Sequence, residues 1–218
     1  MLRSNMKTKT KIFATFGAVA VGIIALAAGN FGHLGATVAP QIAAAAQVDY
    51  FLKIDGIDGE STDGAHKDWI EVMSWSWGMS NPSSAGAGGG GGSGRVRMQD
   101  LIITKHVDKA SSGLLLACAS GKHIPRVVLT ARKAGGEQQD YLRYSFFDVF
   151  CTAYKPHGDP NDNPSEEVSF NYGKVQIEYT QQKPDGKPGS TFTSGWDFRK
   201  NAPFSVSSLS PNPTSAAE

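Results

Sequence analysis

The side chains with the means for chemistry are few and scattered. His66 stands near Asp63 and Asp68, a grouping that would suit acid-base work, in which a carboxylate orients an imidazole as it moves a proton. A polar turn that places acids beside a histidine is the commoner meaning of such a cluster. Residues 155–167 gather His157, Asp159, Asp162, Glu166 and Glu167, donors of the type that hold a hard cation. They lack the D-x-[DN]-x-[DN]-G-x5-E register, and Pro156, Pro160 and Pro164 mark a solvated loop. The glycine run at 85–94 invites comparison with a phosphate cradle, but that needs GxxxxGK[ST] between a strand and a helix. Here Arg95-Val-Arg-Met instead begins a strand, so 81–94 reads as a mobile loop or an assembly contact. Cys118 and Cys151 would need a base and an electropositive setting to act as nucleophiles. His106, His123 and His157 occur in no motif that supplies one, so the reading is two buried free thiols, with a disulfide as the alternative in an exported chain. Lys53 with Asp55, and Asp108 with Lys105 and Lys109, read as surface pairs, each contributing about 0–1 kcal/mol. No catalytic motif emerges, so neither enzyme activity nor a cofactor, metal or small-molecule substrate is expected.

The elements that must position these residues are mostly strands. From Val48 onward apolar residues recur at every second position, which puts them on one face of an extended chain. Val48, Tyr50, Leu52 and Ile54 form one such face before Asp55-Gly56 and Asp58-Gly59 turn the chain. In 70–77, Trp75 and Trp77 alternate against Ile70 and Val72, predicting a strand covered on both sides. Residues 96–104, 127–132, 141–152, 168–172, 175–179 and 192–198 bring the expected number to about eight, with a hairpin turn at Gly135-Gly136. In 141–152 the alternation sets Phe147 and Val149 on one face, and Leu142, Tyr144, Phe146 and Phe150 on the other. Only one helix is expected, capped by Ser111 or Ser112, with Leu114, Leu115 and Cys118 at helical spacing and Gly121 closing it. The fold class is mainly β, a two-sheet barrel or sandwich with one short helix.

Composition divides the chain into three parts. Residues 1–46 carry Arg3, Lys7, Lys9 and Lys11 and no acid, so the rest holds 17 of the 21 basic residues against all 20 acidic ones, a net of −3. That balance offers no clustered cationic surface for nucleic acid. The basic residues precede an apolar run at 12–28, and Ala44-Ala45-Ala46 stands before Gln47: the layout of a secretory signal peptide cleaved between Ala46 and Gln47 or, uncleaved, of an N-terminal anchor. Membrane contact is expected only through this leader, and the destination is periplasmic or secreted, or cytoplasmic before secretion if the leader is not used. Residues 47–201 form the folded domain, and 202–218 a Pro- and Ser-rich tail too short to fold alone.

Several motifs, in order, resemble one family. Phe51-Leu-Lys-Ile-Asp-Gly-Ile-Asp-Gly-Glu-Ser61, Trp75-Ser-Trp-Gly-Met-Ser80, Val107-Asp-Lys-Ala-Ser111, Ala119-Ser-Gly-Lys-His123, Arg132-Lys-Ala-Gly-Gly-Glu137, Val168-Ser-Phe-Asn-Tyr-Gly-Lys-Val175 and Gly195-Trp-Asp197 are similar to the Hcp family, the tube protein of type VI secretion. The resemblance implies a β-barrel of two sheets with one short helix, assembling as a homo-hexamer whose rings stack into a tube. It implies partners among spike (VgrG-like) and effector proteins, with the subunit also serving as cargo carrier or secreted component. It implies that Gly88, Gly90, Gly92 and Gly94 lie in a loop that contacts the next ring, and that Ser76 faces a lumen where cargo is held. The alternative for Ser76 is a small solvent-facing residue between two buried Trp. There are two departures: Ser112-Gly113 stands where the family usually has Pro-Asn, implying a looser helix start, and family members leave without a cleaved signal. The leader therefore keeps a second reading open, an exported Hcp-like protein-binding module working outside a contractile injection machine.

Overall fold

Period-two runs become strands when their apolar face meets a covering layer, and nearly all of them do so here. The computed structural model describes residues 48–82, 95–133 and 138–206. Within these, the elements in chain order are β1 (Val48–Ile54), β2 (Ile70–Val72), β3 (Ser74–Ser80), β4 (Arg97–His106), α1 (Ala110–Ser120), β5 (His123–Lys133), β6 (Asp140–His157), β7 (Ser165–Asn171), β8 (Lys174–Gln182), β9 (Pro188–Asp197) and β10 (Ala202–Pro203). The expected class, mainly β with one helix, is what forms. Ten strands stand in place of about eight, because 70–80 is split at Met73 and a short β10 is added.

All pairings are antiparallel, and they close on themselves. β1 pairs with β5 from Val48↔Lys133 to Ile54↔Val127, β5 with β6, β6 with β7, and β7 with β4. β4 pairs with β3, while β2, one residue upstream of β3, returns to β1 through Leu52↔Ile70. The seam at Met73 is held by its N–H, which donates to the Thr104 carbonyl at 2.8 Å. Closure removes the free edges along this circuit. β8, β9 and β10 extend outward from the first half of β6.

β6 belongs to both sheets and turns between them at Asp148. Its first half pairs with β8 up to Phe147↔Lys174, and its second half with β7 from Phe150↔Asn171. Asp148 takes φ 56, a left-handed value that Asp tolerates better than most residues. The bend re-aims the alternation: Phe146 is buried before it, Val149 and Cys151 after it, and Phe150 is turned out. The strict alternation expected for 141–152 fails at this corner, where a strand changes sheets. The Asp148 carboxylate is held by Lys174 Nζ at 3.0 Å, His123 Nε2 at 3.5 Å and Arg199 Nη1 at 3.7 Å. The Lys174 hydrogen bond, aided by the Lys174 and Arg199 charges and by His123 and opposed by burial, keeps its pKa below the ordinary aspartate value. A depressed carboxylate stabilises the fold above its unfolded pKa, and that contribution is lost as pH falls through the folded value. Asp148→Asn, which tolerates the same backbone, is expected to lose about 1 kcal/mol at neutral pH and to show a shallower decline below roughly pH 4. Urea unfolding at a series of pH values checks this.

The core lies inside the circuit, with Leu52, Ile54, Ile70, Leu101, Ile103, Val127, Leu129, Phe146, Val168 and Phe170 all buried. α1 packs on it through Leu114 and Ala117. A Cβ at Gly113 would sit 3.1 Å from Ile57 Cγ2, so Gly at this position lets the helix approach the barrel. Gly121 ends α1 at φ 63, as expected, but the start differs. The helix begins at Ala110, whose N–H donates to Asp108 Oδ1 at 2.8 Å, while Ser111 lies inside the first turn and accepts from the Asp108 N–H at 3.0 Å. A smaller cluster of Phe51, Trp69 and Val128 covers the other face of β1 and β5.

Candidate functional site

Three residue groups could carry function: a buried charged network, a histidine between two acids, and apolar side chains left at the surface. The charged network begins with period two. Lys105 follows Leu101 and Ile103 on the inward face of β4, and Glu166 precedes Val168 and Phe170 on that of β7, so both are carried into the interior. Each side chain is 0% exposed, and Lys105 Nζ donates to Glu166 Oε1 at 2.8 Å, Asp108 Oδ1 at 2.7 Å and the His106 carbonyl at 2.7 Å. Ser111 Oγ donates to Glu166 Oε1 at 3.0 Å, and the Tyr154 hydroxyl to Glu166 Oε2 at 2.6 Å. That bond to Glu166, reinforced by burial and by nearby negative charge, pushes the Tyr154 phenol up to about 12. These groups satisfy one another, with Asp108 alone among the charged members at the edge of a cavity of about 560 Å³, so the network anchors the start of α1. Lys105 with Asp108 is thus a buried pair and not a surface one. The expected loop at 155–167 shrinks accordingly: β6 runs through His157, β7 starts at Ser165, and Glu167 pairs with Lys155 at 2.8 Å.

His66 does lie in a turn beside acids, as expected, and that turn is buried. Its ring is buried, stacked 4.3 Å from Phe51 and edge-on to Trp69. Nδ1 meets Asp63 Oδ1 at 3.0 Å and Nε2 meets Asp140 Oδ2 at 3.1 Å, while Arg132 Nη1 donates to Asp63 at 2.6 Å. Burial raises the Asp63 pKa, but hydrogen bonds from the Ala65 amide and from the His66 ring and amide, with the Arg132 charge, outweigh it and hold the carboxyl below its ordinary range. Asp68 turns away at φ 60, its N–H donating to the Ser61 carbonyl. Both imidazole nitrogens are engaged, so the group ties residues 61–69 to the start of β6. Lys53 pairs with Asp58 at 2.6 Å, and Asp55 lies 3.6 Å from Arg126. Among the described residues, no three His, Cys, Asp or Glu are grouped to hold a metal ion. Cys151 is buried and Cys118 half-buried, both free thiols.

The surface is where unexplained apolar area remains. Leu116 is 68% exposed, Phe192 59% and Met79 55%, with Tyr179 exposed opposite Phe192 on the β8–β9 ladder. A groove of about 580 Å³ opens among Trp77, Met79, Val96, Tyr144, Ile177 and Trp196. Ser80, Asn81 and Val96, on its rim, flank the glycine-rich segment. Gly88, Gly90, Gly92 and Gly94 of that segment, the Gly135-Gly136 turn, the leader with Ala46 and Gln47, and the tail from 207 lie outside the described residues. Ser76 is exposed on β3, between Trp75 and Trp77, whose half-buried rings turn the other way toward Tyr144, at 5.5 and 5.3 Å.

Buried polar groups closed to solvent and apolar groups open to it are the features of a protein that works by contact. A family model described as "Type VI secretion system effector, Hcp" matches residues 51–179. The chain belongs to the Hcp family. It is 50% identical over 157 residues to the hcp1 protein of Pseudomonas aeruginosa, a match covering 71% of this chain and 97% of that one. Among solved structures, Hcp1 from Salmonella typhimurium is 38% identical with a TM-score of 0.59, covering 72% of this chain and 100% of the other. A structure titled as a type six secretion system protein is 33% identical with a TM-score of 0.69 and the same coverages. This chain therefore shares the fold of these Hcp structures.

Proposed function

We propose that this chain is a structural subunit of a type VI secretion system, one that joins copies of itself in a hexameric ring or tube and also acts as a cargo carrier or secreted component. The observation that carries this reading is the match to hcp1 over 97% of that protein's length. Exposed Leu116, Phe192, Tyr179 and Met79 support it, because apolar side chains of this size at the surface mark contacts between proteins when they cluster. In this reading Ser76 faces the lumen, the segment with Gly88, Gly90, Gly92 and Gly94 meets the next ring, and spike and effector proteins are the partners. Light scattering on the full chain after size-exclusion chromatography is expected to give six times the mass of one chain. A stable monomer at high concentration would overturn the ring.

The composition of residues 1–46 favours a second reading, an exported Hcp-like module that binds a protein outside a contractile machine. Cell fractionation with sequencing of the mature amino terminus separates the two. Gln47 as first residue in a periplasmic fraction supports export with cleavage after Ala46, whereas an intact leader in cytoplasmic rings supports the first reading alone.

A further inference from the structure

The two cysteines come from distant parts of the chain and meet at one place. Cys118 lies in the last turn of α1 and Cys151 in β6 just beyond the Asp148 corner, where the alternation switches its facing. Cys118 packs from its half-buried position against the core cluster that contains Cys151. His123, two residues past the closing Gly121, pairs with Phe150, and the Lys122 N–H donates to the Ala117 carbonyl at 3.1 Å, so the last turn of α1 stands beside Cys151. The Cys151 thiol donates to the Ala153 carbonyl at 3.5 Å within β6.

We infer that Cys118 and Cys151 are a dithiol pair that closes into a disulfide when the folded chain meets an oxidising environment, fastening α1 to β6. The inference rests on the fold alone and not on ring formation, so it is tested separately from the proposed function.

Access sets the order of events. Cys118 is partly open to solvent, so its thiolate attacks the disulfide of an oxidant, either a protein disulfide oxidase or oxidised glutathione, releasing one thiolate and leaving a mixed disulfide. Burial, with the neighbouring Cys118, pushes the Cys151 thiol well above its ordinary value, which makes it a poor first attacker. Adjacent to the mixed disulfide, Cys151 gives its proton to the released thiolate and attacks the Cys118 sulfur. The Cys118–oxidant bond breaks and the second oxidant thiolate leaves. In total two thiols lose two protons and two electrons, and the oxidant's disulfide is reduced to its thiols.

The cross-link restrains the unfolded chain between the two sites, a loop of about 34 residues, large enough for a substantial gain. The test takes the full chain, purified under reductant and then equilibrated with oxidised glutathione. The expected result is an intact mass lower by two hydrogens, no free thiol for maleimide after denaturation, and a melting temperature about 10 °C higher than that of the reduced protein. Cys118→Ser, at a half-buried position that tolerates a hydroxyl, should abolish all three changes. Glutathione adducts without the loss of two hydrogens, a dimer linked through Cys118, two thiols still open to maleimide, or an unchanged melting temperature would each overturn the proposal.

Discussion

Lys105→Met is expected to lower the unfolding free energy by about 3–5 kcal/mol, because it leaves Glu166 charged and enclosed with only hydroxyl donors to face it. Lys105 and Glu166 are each 0% exposed, so water cannot replace the missing ammonium. Tyr154 and Ser111 would still donate to Glu166, but neither neutralises it. Glu166→Ala should cost a similar amount, since Lys105 would then rely on Asp108 and the His106 carbonyl. The double variant Lys105→Met with Glu166→Met removes both charges together. It is expected to recover more than half of the loss, because well-packed apolar replacements of a buried pair are often close to neutral. Urea unfolding of the four proteins completes the cycle. A single substitution costing under about 1 kcal/mol would mean that water reaches this pair.

Phe146→Ala is expected to cost about 3–5 kcal/mol through lost burial and the cavity that follows. Phe146 is fully buried at the middle of an aromatic group, with ring centroids 4.8 Å from Tyr172, 5.9 Å from Trp77 and 6.3 Å from Tyr144. It sits two residues before Asp148, where the sheets meet, so its loss loosens both. By contrast Phe192→Ser, at a side chain already 59% exposed, should change unfolding by less than about 0.5 kcal/mol. The pair separates residues that hold the subunit together from those left for its neighbours, and thermal melts of both variants check it.

Much of this was legible in local spacing. Period two named most strands, because a strand's facing depends on little beyond its own alternation, though 74–77 is covered on its Trp face and not on both. The rest depended on partners far along the chain. Asp148 is an ordinary acid in the sequence; its positive φ is fixed by a change of sheet and by Lys174, His123 and Arg199 gathered around it. Lys105 beside Asp108 resembles a surface pair because its second acid, Glu166, is 61 residues away. A signal was nonetheless present, since Lys105 keeps the parity of Leu101 and Ile103. The turn at His66 was legible but its second acid was not, as Asp140 lies 74 residues away. The helix start moved because Asp108 is oriented by Lys105, which no capping pattern records.

The closed circuit of strands also governs when the protein can fold. β1 is made first, yet its ladder partner β5 lies beyond α1, and the seam at Met73 needs β4, whose other neighbour β7 comes later still. Ladders built from such distant segments form in roughly milliseconds to seconds, far more slowly than helical bundles. For a chain proposed to carry an export leader, the strand next to that leader thus has only the short β2 as a partner until β5 has been synthesised. Late closure would give such a leader time to be read before the fold barred its passage.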